Sequence, residues 1–551
     1  MSPARSTSTQ LHDRVANALC RIEALEAAYE TTTIAQLVSM RARTHGSTTA
    51  IDIFERGERA TYSEMDRWSN KYARALQAFG VRKGDRVGVM LPNRIEFPIL
   101  WFAFAKLGVV LVPVNMRYTP REIEYVLHDT QTKFAIVDES AWPVFSAMDP
   151  WPQDLAKERV IHVGQPSAGA ATTLDEVLNH VEDGPVDEDI HPDDLLNIQY
   201  TSGTTGFPKG CMLTHDYLGV ASYASVYHNY EPHQRYLYTA PFFDATTQIY
   251  LLKSYRQGGT LYLATQFSST RLIAWIKQYR IEWSEFSEWM THQPEATAES
   301  LTCLKQAGSA GKRWSPDTVR RFREQFGVRN SRWYGMTEIG YGTQTPDIEE
   351  MDDSNSVGIR SPYRVLKLVN EDGSPTPVGE VGELWVKGRA IFKGYWNRPD
   401  ANAAAFEGEW FKTGDLLRRD ELGFHWLVGR KKDMIRRADH ENISALEVET
   451  VVCEITEIAD VAAVPVPHDE RGEEVKIYVE LKEGVTPADL LVERILEHAR
   501  ARLAVFKVPR YIAFTPALPR TTSRDKVLKR ELMNVSDPVA GAYDSEQKRW
   551  R

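Results

Sequence analysis

Cysteine is scarce in this chain. The 551 residues hold four, Cys20, Cys211, Cys303 and Cys453, far apart and in no Cys-x-x-Cys or His-rich spacing. That argues against a disulfide framework and a structural zinc site, and for a reducing compartment. Long apolar runs are missing too: no stretch reaches the ~18 residues of a membrane-spanning helix. The opening residues, MSPARSTSTQ, lack the apolar centre of a signal peptide. The expected location is therefore the cytoplasm. Positive charge is not in excess, with 66 Lys and Arg against 76 Asp and Glu, a formal net charge of −10. This balance favours solubility and speaks against generic nucleic-acid binding, while leaving room for a local basic patch facing a nucleotide or coenzyme. Internal repeats and low-complexity blocks are also absent.

What is present has the texture of a globular protein, with 42% hydrophobic and 26% charged residues. The length calls for at least two domains. Residues 1–10 are small and polar and read as disordered. Leu11, Val15, Leu19, Ile22 and Leu25 then recur at helical spacing, which predicts one amphipathic helix packed on the main body. From about residue 34, helical stretches alternate with short β-rich runs at 86–91, 109–114 and 134–137. The pattern returns at 237–263 and around Trp283 and Trp333. Such runs read as buried strands of an α/β architecture. Past Tyr363, segments 365–369, 382–386 and 423–428 read as antiparallel strands joined by glycine turns. A compact mixed segment follows, with helices near 445–455 and 487–503 and strands near 461–466 and 475–481. The expected division is an N-terminal extension over 1–33, a large domain over 34–428, a small domain over 429–535, and a loose tail over 536–551.

The most informative stretch is Tyr200-Thr-Ser-Gly-Thr-Thr-Gly-Phe-Pro-Lys-Gly210. Glycines let a backbone approach an anion closely and turn its N–H groups inward, while hydroxyls and a lysine add donors and positive charge. It is not a Walker A loop, because no Gly-Lys-Ser/Thr opens a helix after the spacer. A generic turn poorly explains so dense a cluster.

These residues resemble the ATP-binding signature of the adenylate-forming superfamily, which holds acyl-CoA synthetases, luciferases and peptide-synthetase adenylation domains. The likeness runs from about 34 to 533, with further motifs in the family's order. It implies a large N-terminal α/β domain of several subdomains and a small, mobile C-terminal α+β domain. It also implies roles. Thr201, Ser202, Gly203, Thr204, Thr205, Gly206 and Lys209 would grip the phosphates of ATP. Tyr334-Gly335-Met-Thr337-Glu338 resembles the second nucleotide motif, with Thr337 on the α-phosphate and Glu338 holding Mg²⁺. Gly308, Ser309 and Ala310 would lie against adenine, and Tyr334 would stack on it. Asp415 would bind both ribose hydroxyls, with Arg430 as the second ribose contact. Lys432 falls at the hinge, and Lys526 at the place of the catalytic lysine, ahead of Lys529. The implied reaction is attack of a carboxylate on the α-phosphorus with loss of pyrophosphate, then rotation of the small domain and transfer to a thiol.

The chain departs from the family at three places. Arg524-Asp525 replaces a single glycine before Lys526. Ala438-Asp439-His440 stands where a Gly-Gly pair lines the thiol tunnel, so an obstructed thioester step is expected. Asp244 stands where many relatives carry a histidine that gates the acyl pocket. It reads equally as a contact for a hydroxylated or cationic acyl group and as a solvated loop acid. Phe242, Phe243 and the stretch 283–289 suggest a roomy apolar pocket, although core packing explains them equally well. The leading expectation is an acyl-CoA synthetase for a medium, aromatic or otherwise bulky organic acid, using ATP, Mg²⁺ and coenzyme A. The competing ones are a ligase that adenylates and hands its acyl group to a carrier protein or separate enzyme, and a pseudoenzyme that only binds nucleotide. A homodimer is compatible with the sequence.

Overall fold

The structure, a computed structural model, describes residues 3–165, 172–179, 181–182, 184–201, 208–226, 231–285, 293–309, 314, 316–436, 442–468, 471–521 and 526–551. Two large sheets organise the N-terminal domain among these residues. One has seven strands in the order Thr172–Thr173, Val160–Val163, Phe134–Asp138, Arg86–Met90, Val110–Pro113, Leu195–Thr201, Lys209–Thr214. The other has nine, in the order Ile359–Arg360, Gly340–Gln344, Arg329–Met336, Gln306–Ser309, Trp283–Glu285, Arg235–Tyr238, Thr260–Leu263, Thr49–Ile53, Glu58–Thr61. The apolar runs read as buried strands are the parallel centres of these sheets.

Helix Glu96–Leu107 is apolar on every side, and such a helix must be enclosed. Every residue from Phe97 to Leu107 is indeed buried. Its Lys106 is neutralised in place, with Nζ 2.7 Å from Asp66 Oδ1 and 2.7 Å from Asn70 Oδ1. Together with helix Ala245–Gln257 it joins the inner faces of both sheets in one core, where Trp101 Nε1 donates to Asn197 Oδ1 and Asn197 Nδ2 to Gln248 Oε1.

An antiparallel sheet of Arg364–Val369, Val381–Gly388, Trp410–Arg419, Phe406–Glu407 and His425–Arg430 follows. The chain then turns through Lys431–Asp433 into a separate small core. Ile435, Ile443, Val448, Ile477, Ile495 and Ile512 pack there under a second antiparallel–parallel sheet. The fold is α/β, with a large N-terminal domain and a small C-terminal one.

Two expectations fail. Residues 3–10 are not disordered, because one helix runs unbroken over Pro3–Ala28. Its anchor is Val15, Ala18 and Ile22 packed on Ile348, Ile359 and Phe424, and the polar residues before them continue the same helix. The tail is not loose either. Tyr543–Asp544 and Arg549–Trp550 add two short strands to the small domain's sheet, and Asp544, fully buried, pairs with Arg551 at 2.8 Å. Two-residue strands carry no readable period, so only the tertiary partners reveal them. A cavity of about 630 Å³ lies beneath the N-terminal helix, lined by Leu19, Tyr363, Arg364, Arg389 and His425. None of the predicted nucleotide residues lines it.

Candidate active site

The phosphate stretch begins on a hairpin. Strand Leu195–Thr201 pairs antiparallel with Lys209–Thr214 and sets Thr201 opposite Lys209 at the open end. Ser202, Gly203, Thr204, Thr205 and Gly206 lie outside the described residues. Lys209 Nζ sits 4.6 Å from the centre of the Tyr395 ring, and the Tyr395 hydroxyl donates to Glu338 Oε1 at 2.8 Å. The loop lysine and the predicted metal carboxylate are thus joined through one tyrosine. Burial first, and then the Glu338 charge, push the Tyr395 phenol well up, so it stays a donor. The sequence reading missed Tyr395. Its signal was an aromatic pair after a glycine, Gly394-Tyr395-Trp396, held by backbone bonds from Trp396 N to Gly210 O and Met212 N to Gly394 O.

Thr337 and Glu338 occupy the turn between Arg329–Met336 and Gly340–Gln344. The strand bulges at Tyr334 and Gly335, and a Cβ on Gly335 would lie 2.1 Å from Gly340 O, so this position requires glycine. Three elements hold the turn by three successive carbonyls. Tyr217 Oη donates to Thr337 O at 2.7 Å, Phe392 N to Glu338 O at 2.9 Å, and Arg364 Nε to Ile339 O at 2.8 Å. Tyr217 and Arg364 are both 1% exposed. Loss of one such bond leaves a buried carbonyl without its donor, a cost of about 1–3 kcal/mol. Tyr217→Phe should therefore lower the thermal midpoint and reduce severalfold the adenylation that the motifs imply, checked by calorimetry and pyrophosphate release. Unchanged values in both would remove Tyr217 from the clamp.

Asp415 and Arg430 are cross-strand partners in the hairpin Trp410–Arg419/His425–Arg430. Tyr334 Oη donates to Asp415 Oδ2 at 2.8 Å. Arg430 Nε lies 3.0 Å from Oδ1 as an ion pair but without a hydrogen bond's alignment, so that buried oxygen has no donor among the described residues. Asp415 is 3% exposed; burial raises its pKa, against the pull of Arg430 and Tyr334. A carboxylate with one oxygen engaged and one awaiting a donor fits a ribose diol.

Lys526 arrives from the small domain. Its loop closes on itself, with Thr521 N donating to Lys526 O at 2.8 Å and Lys526 N to Thr521 Oγ1 at 3.2 Å, beside a bridge of Arg520 to Val527. Arg524 and Asp525 lie outside the described residues. Lys526 is an exposed residue, and the charges of Arg430, Asp415, Lys432 and Asp433 act on its amine. Desolvation first and Arg430 next pull its pKa down to about 8, with Asp415 opposing. Lys529 is occupied elsewhere, 2.7 Å from Glu449. Lys432 lies exposed in the turn Lys431–Asp433 that joins the two domains.

Gly308 lies in strand Gln306–Ser309 with Trp333 and Trp283 against it, where an added Cβ would sit 2.8–3.0 Å from both rings. Ala310 falls outside the described residues, as do Ala438, Asp439 and His440. Phe242, Phe243 and Trp283 belong to the core of the large domain, and residues 286–289 of the aromatic stretch lie outside the described residues. Phe242 packs on Phe97 and Trp101 with ring centres 5.1 and 5.8 Å away, and Phe243 is 8% exposed. Asp244 has a structural task that neither sequence reading weighed. Its Oδ1 accepts from Thr246 N at 2.9 Å and caps helix Ala245–Gln257.

The chain matches the AMP-binding enzyme family over residues 38–396 and the AMP-binding enzyme C-terminal domain over residues 447–524. It is 32% identical over 492 residues to a crotonobetaine/carnitine–CoA ligase of Proteus mirabilis, covering 86% of this chain and 92% of that one. A long-chain-fatty-acid–CoA ligase of Mycobacterium tuberculosis is 29% identical over 483 residues, covering 86% and 92%. Among solved structures, ATP-bound MatB from Rhodopseudomonas palustris superposes with a TM-score of 0.76 at 26% identity, covering 90% of this chain and 98% of that one.

Proposed function

Because this chain belongs to the AMP-binding enzyme family and is an AMP-forming acid–thiol ligase, we propose that it activates an organic acid as acyl-adenylate and passes the acyl group to coenzyme A. The observation that supports this reading most is the meeting of Lys526 from the small domain with Asp415 and Arg430 of the large one. A carboxylate oxygen of the acid attacks the α-phosphorus; that P–O bond forms as the bond to pyrophosphate breaks. Thr201, residues 202–206 and Lys209 hold the departing phosphates. Thr337 and Lys526 steady the charge between carboxylate and α-phosphate. Asp415 and Arg430 hold the ribose, and the segment 308–310 with Tyr334 takes the base. Glu338, oriented by Tyr395, would hold Mg²⁺, which supplies charge neutralisation on phosphate oxygens. In the second step the thiol sulfur attacks the acyl carbon, AMP leaves, and the thiol proton passes to solvent. Lys432 serves as the hinge between a domain over 34–428 and one over 429–535.

The bulk at Ala438, Asp439 and His440 favours a second reading in which the acyl group goes to a carrier protein or separate enzyme. Pyrophosphate and acyl-CoA measured in the same reaction separate the two. Equal rates of both products are expected. Pyrophosphate release without acyl-CoA would move the acceptor away from coenzyme A, and no release with any acid would remove the ligase reading itself.

A further inference from the structure

The cavity beneath the N-terminal helix has no part in the steps above. At about 630 Å³ it falls in the size range of small-molecule sites. It lies between helix Pro3–Ala28 and the hairpin Trp410–Arg419/His425–Arg430. That helix precedes residues 38–396, the stretch shared with the AMP-binding family. Leu19, Ile359 and Leu422 give the cavity an apolar side, continuous with the cluster that anchors the helix.

Its other side is basic. Four arginines line it against one carboxylate, Glu26. Glu26 is already engaged, with Oε1 2.5 Å from Arg360 Nη1 and 2.6 Å from Tyr363 N. Arg389 is paired with Asp216 at 2.9 and 3.0 Å. Arg364 donates to the carbonyls of Ile339 and Arg389 at 2.8 and 2.7 Å. Arg419 differs from these three. It is half-buried, and its guanidinium has no hydrogen bond or ion pair among the described residues.

Arg419 and His425 are cross-strand partners, so their side chains share one face of the hairpin. Arg418 and Trp426 meet on the other face, 4.8 Å apart. His425 is 4% exposed, and its Nδ1 is buried without a hydrogen-bond partner among the described residues. Burial first and the Arg419 charge next hold its pKa down to about 4, against the carbonyls of Gly358 and Gly423. The ring is therefore neutral, and with its proton on Nδ1 it can donate to an anion. Buried polar groups in folded proteins nearly always have a partner, so two unpartnered neighbours on one cavity wall call for one.

We propose that this cavity binds an amphiphilic carboxylate, with its head on Arg419 and His425 and its apolar body against Leu19, Ile359 and Leu422. The guanidinium fork matches a carboxylate. One unpaired guanidinium balances one negative charge, which favours a carboxylate over a doubly charged phosphate.

The test is calorimetric titration of the full chain, without ATP, with octanoate, acetate, octanol and octyl phosphate. Octanoate should bind at least about tenfold tighter than acetate, which lacks the body, and octanol, which lacks the charge. It should also bind tighter than octyl phosphate. Arg419→Leu should weaken octanoate by about tenfold or more. Leu19→Trp, whose larger side chain fills part of the cavity, should remove the same equivalent. Should one variant fail to fold, the other still decides. Pyrophosphate release should persist in both, because neither residue enters the adenylation steps. Octanoate held at the catalytic site would bind the variants as it binds the parent, so full affinity in either variant overturns the proposal. Absence of binding, or any of the three other probes matching octanoate, overturns it as well. Each of these results leaves the ligase reading standing.

Discussion

Lys526→Ala should reduce adenylation by about 10²–10³, the loss typical of removing one preorganised donor from a developing charge. Pyrophosphate release should carry the whole effect. Unfolding should be nearly unchanged, because Lys526 is an exposed residue. The pH profile gives a second, independent reading. With its pKa drawn down to about 8, the amine is charged below that value and neutral above it. If the ammonium is the working form, kcat/KM for adenylation falls as pH rises through about 8, since that ratio reports the free enzyme. In kcat the same limb should move upward, because bound phosphates favour the charged amine. Lys526→Arg should carry no such limb, since a guanidinium stays charged throughout. Full activity in Lys526→Ala, or a basic limb that persists in it, would take the lysine out of the reaction.

How the site assembles explains what could be read in advance. The parallel strands at 86–90, 110–113 and 134–138 were legible because burial on both faces forces a continuous apolar run. Asp415 and Arg430 were legible as motif residues, but their pairing depends on a hairpin register that no local pattern displays. The partners that hold motif residues in place were harder still. Tyr217 and Arg364 lie 120 and 25 residues from the carbonyls they hold, and each reads as an ordinary core or strand residue. Lys253 looks like a helix-surface charge until the rings around it are seen. Asp244 invited a chemical reading because its neighbours were motif-like, whereas its nearest demand was an unsatisfied helix N–H. Motifs name candidate groups; contacts distant in sequence decide how those groups are aimed.

Asp415→Asn follows from that second kind of contact, and its outcome should be the next largest. The substitution keeps the shape and one acceptor, removes the charge that faces Arg430, and leaves Tyr334 a carbonyl oxygen to donate to. KM for ATP should rise by about 10–100-fold, in line with charge-assisted bonds worth about 1.5–3 kcal/mol each. Stability should move the other way or not at all. Burial raises the Asp415 pKa in the folded state, so this carboxyl binds its proton more tightly when folded. Its ionised form therefore opposes folding at neutral pH, and the amide relieves that cost. Arg430, 34% exposed along its side chain, can regain water when its partner goes. The variant also bears on Lys526, whose charged form Asp415 supports. Without that support the basic limb of kcat/KM should shift below about 8. A raised KM with an unmoved limb would mean that Asp415 holds nucleotide but does not act on the lysine. A large drop in thermal midpoint with both kinetic features intact would mean that the Asp415–Arg430 pair serves the fold alone.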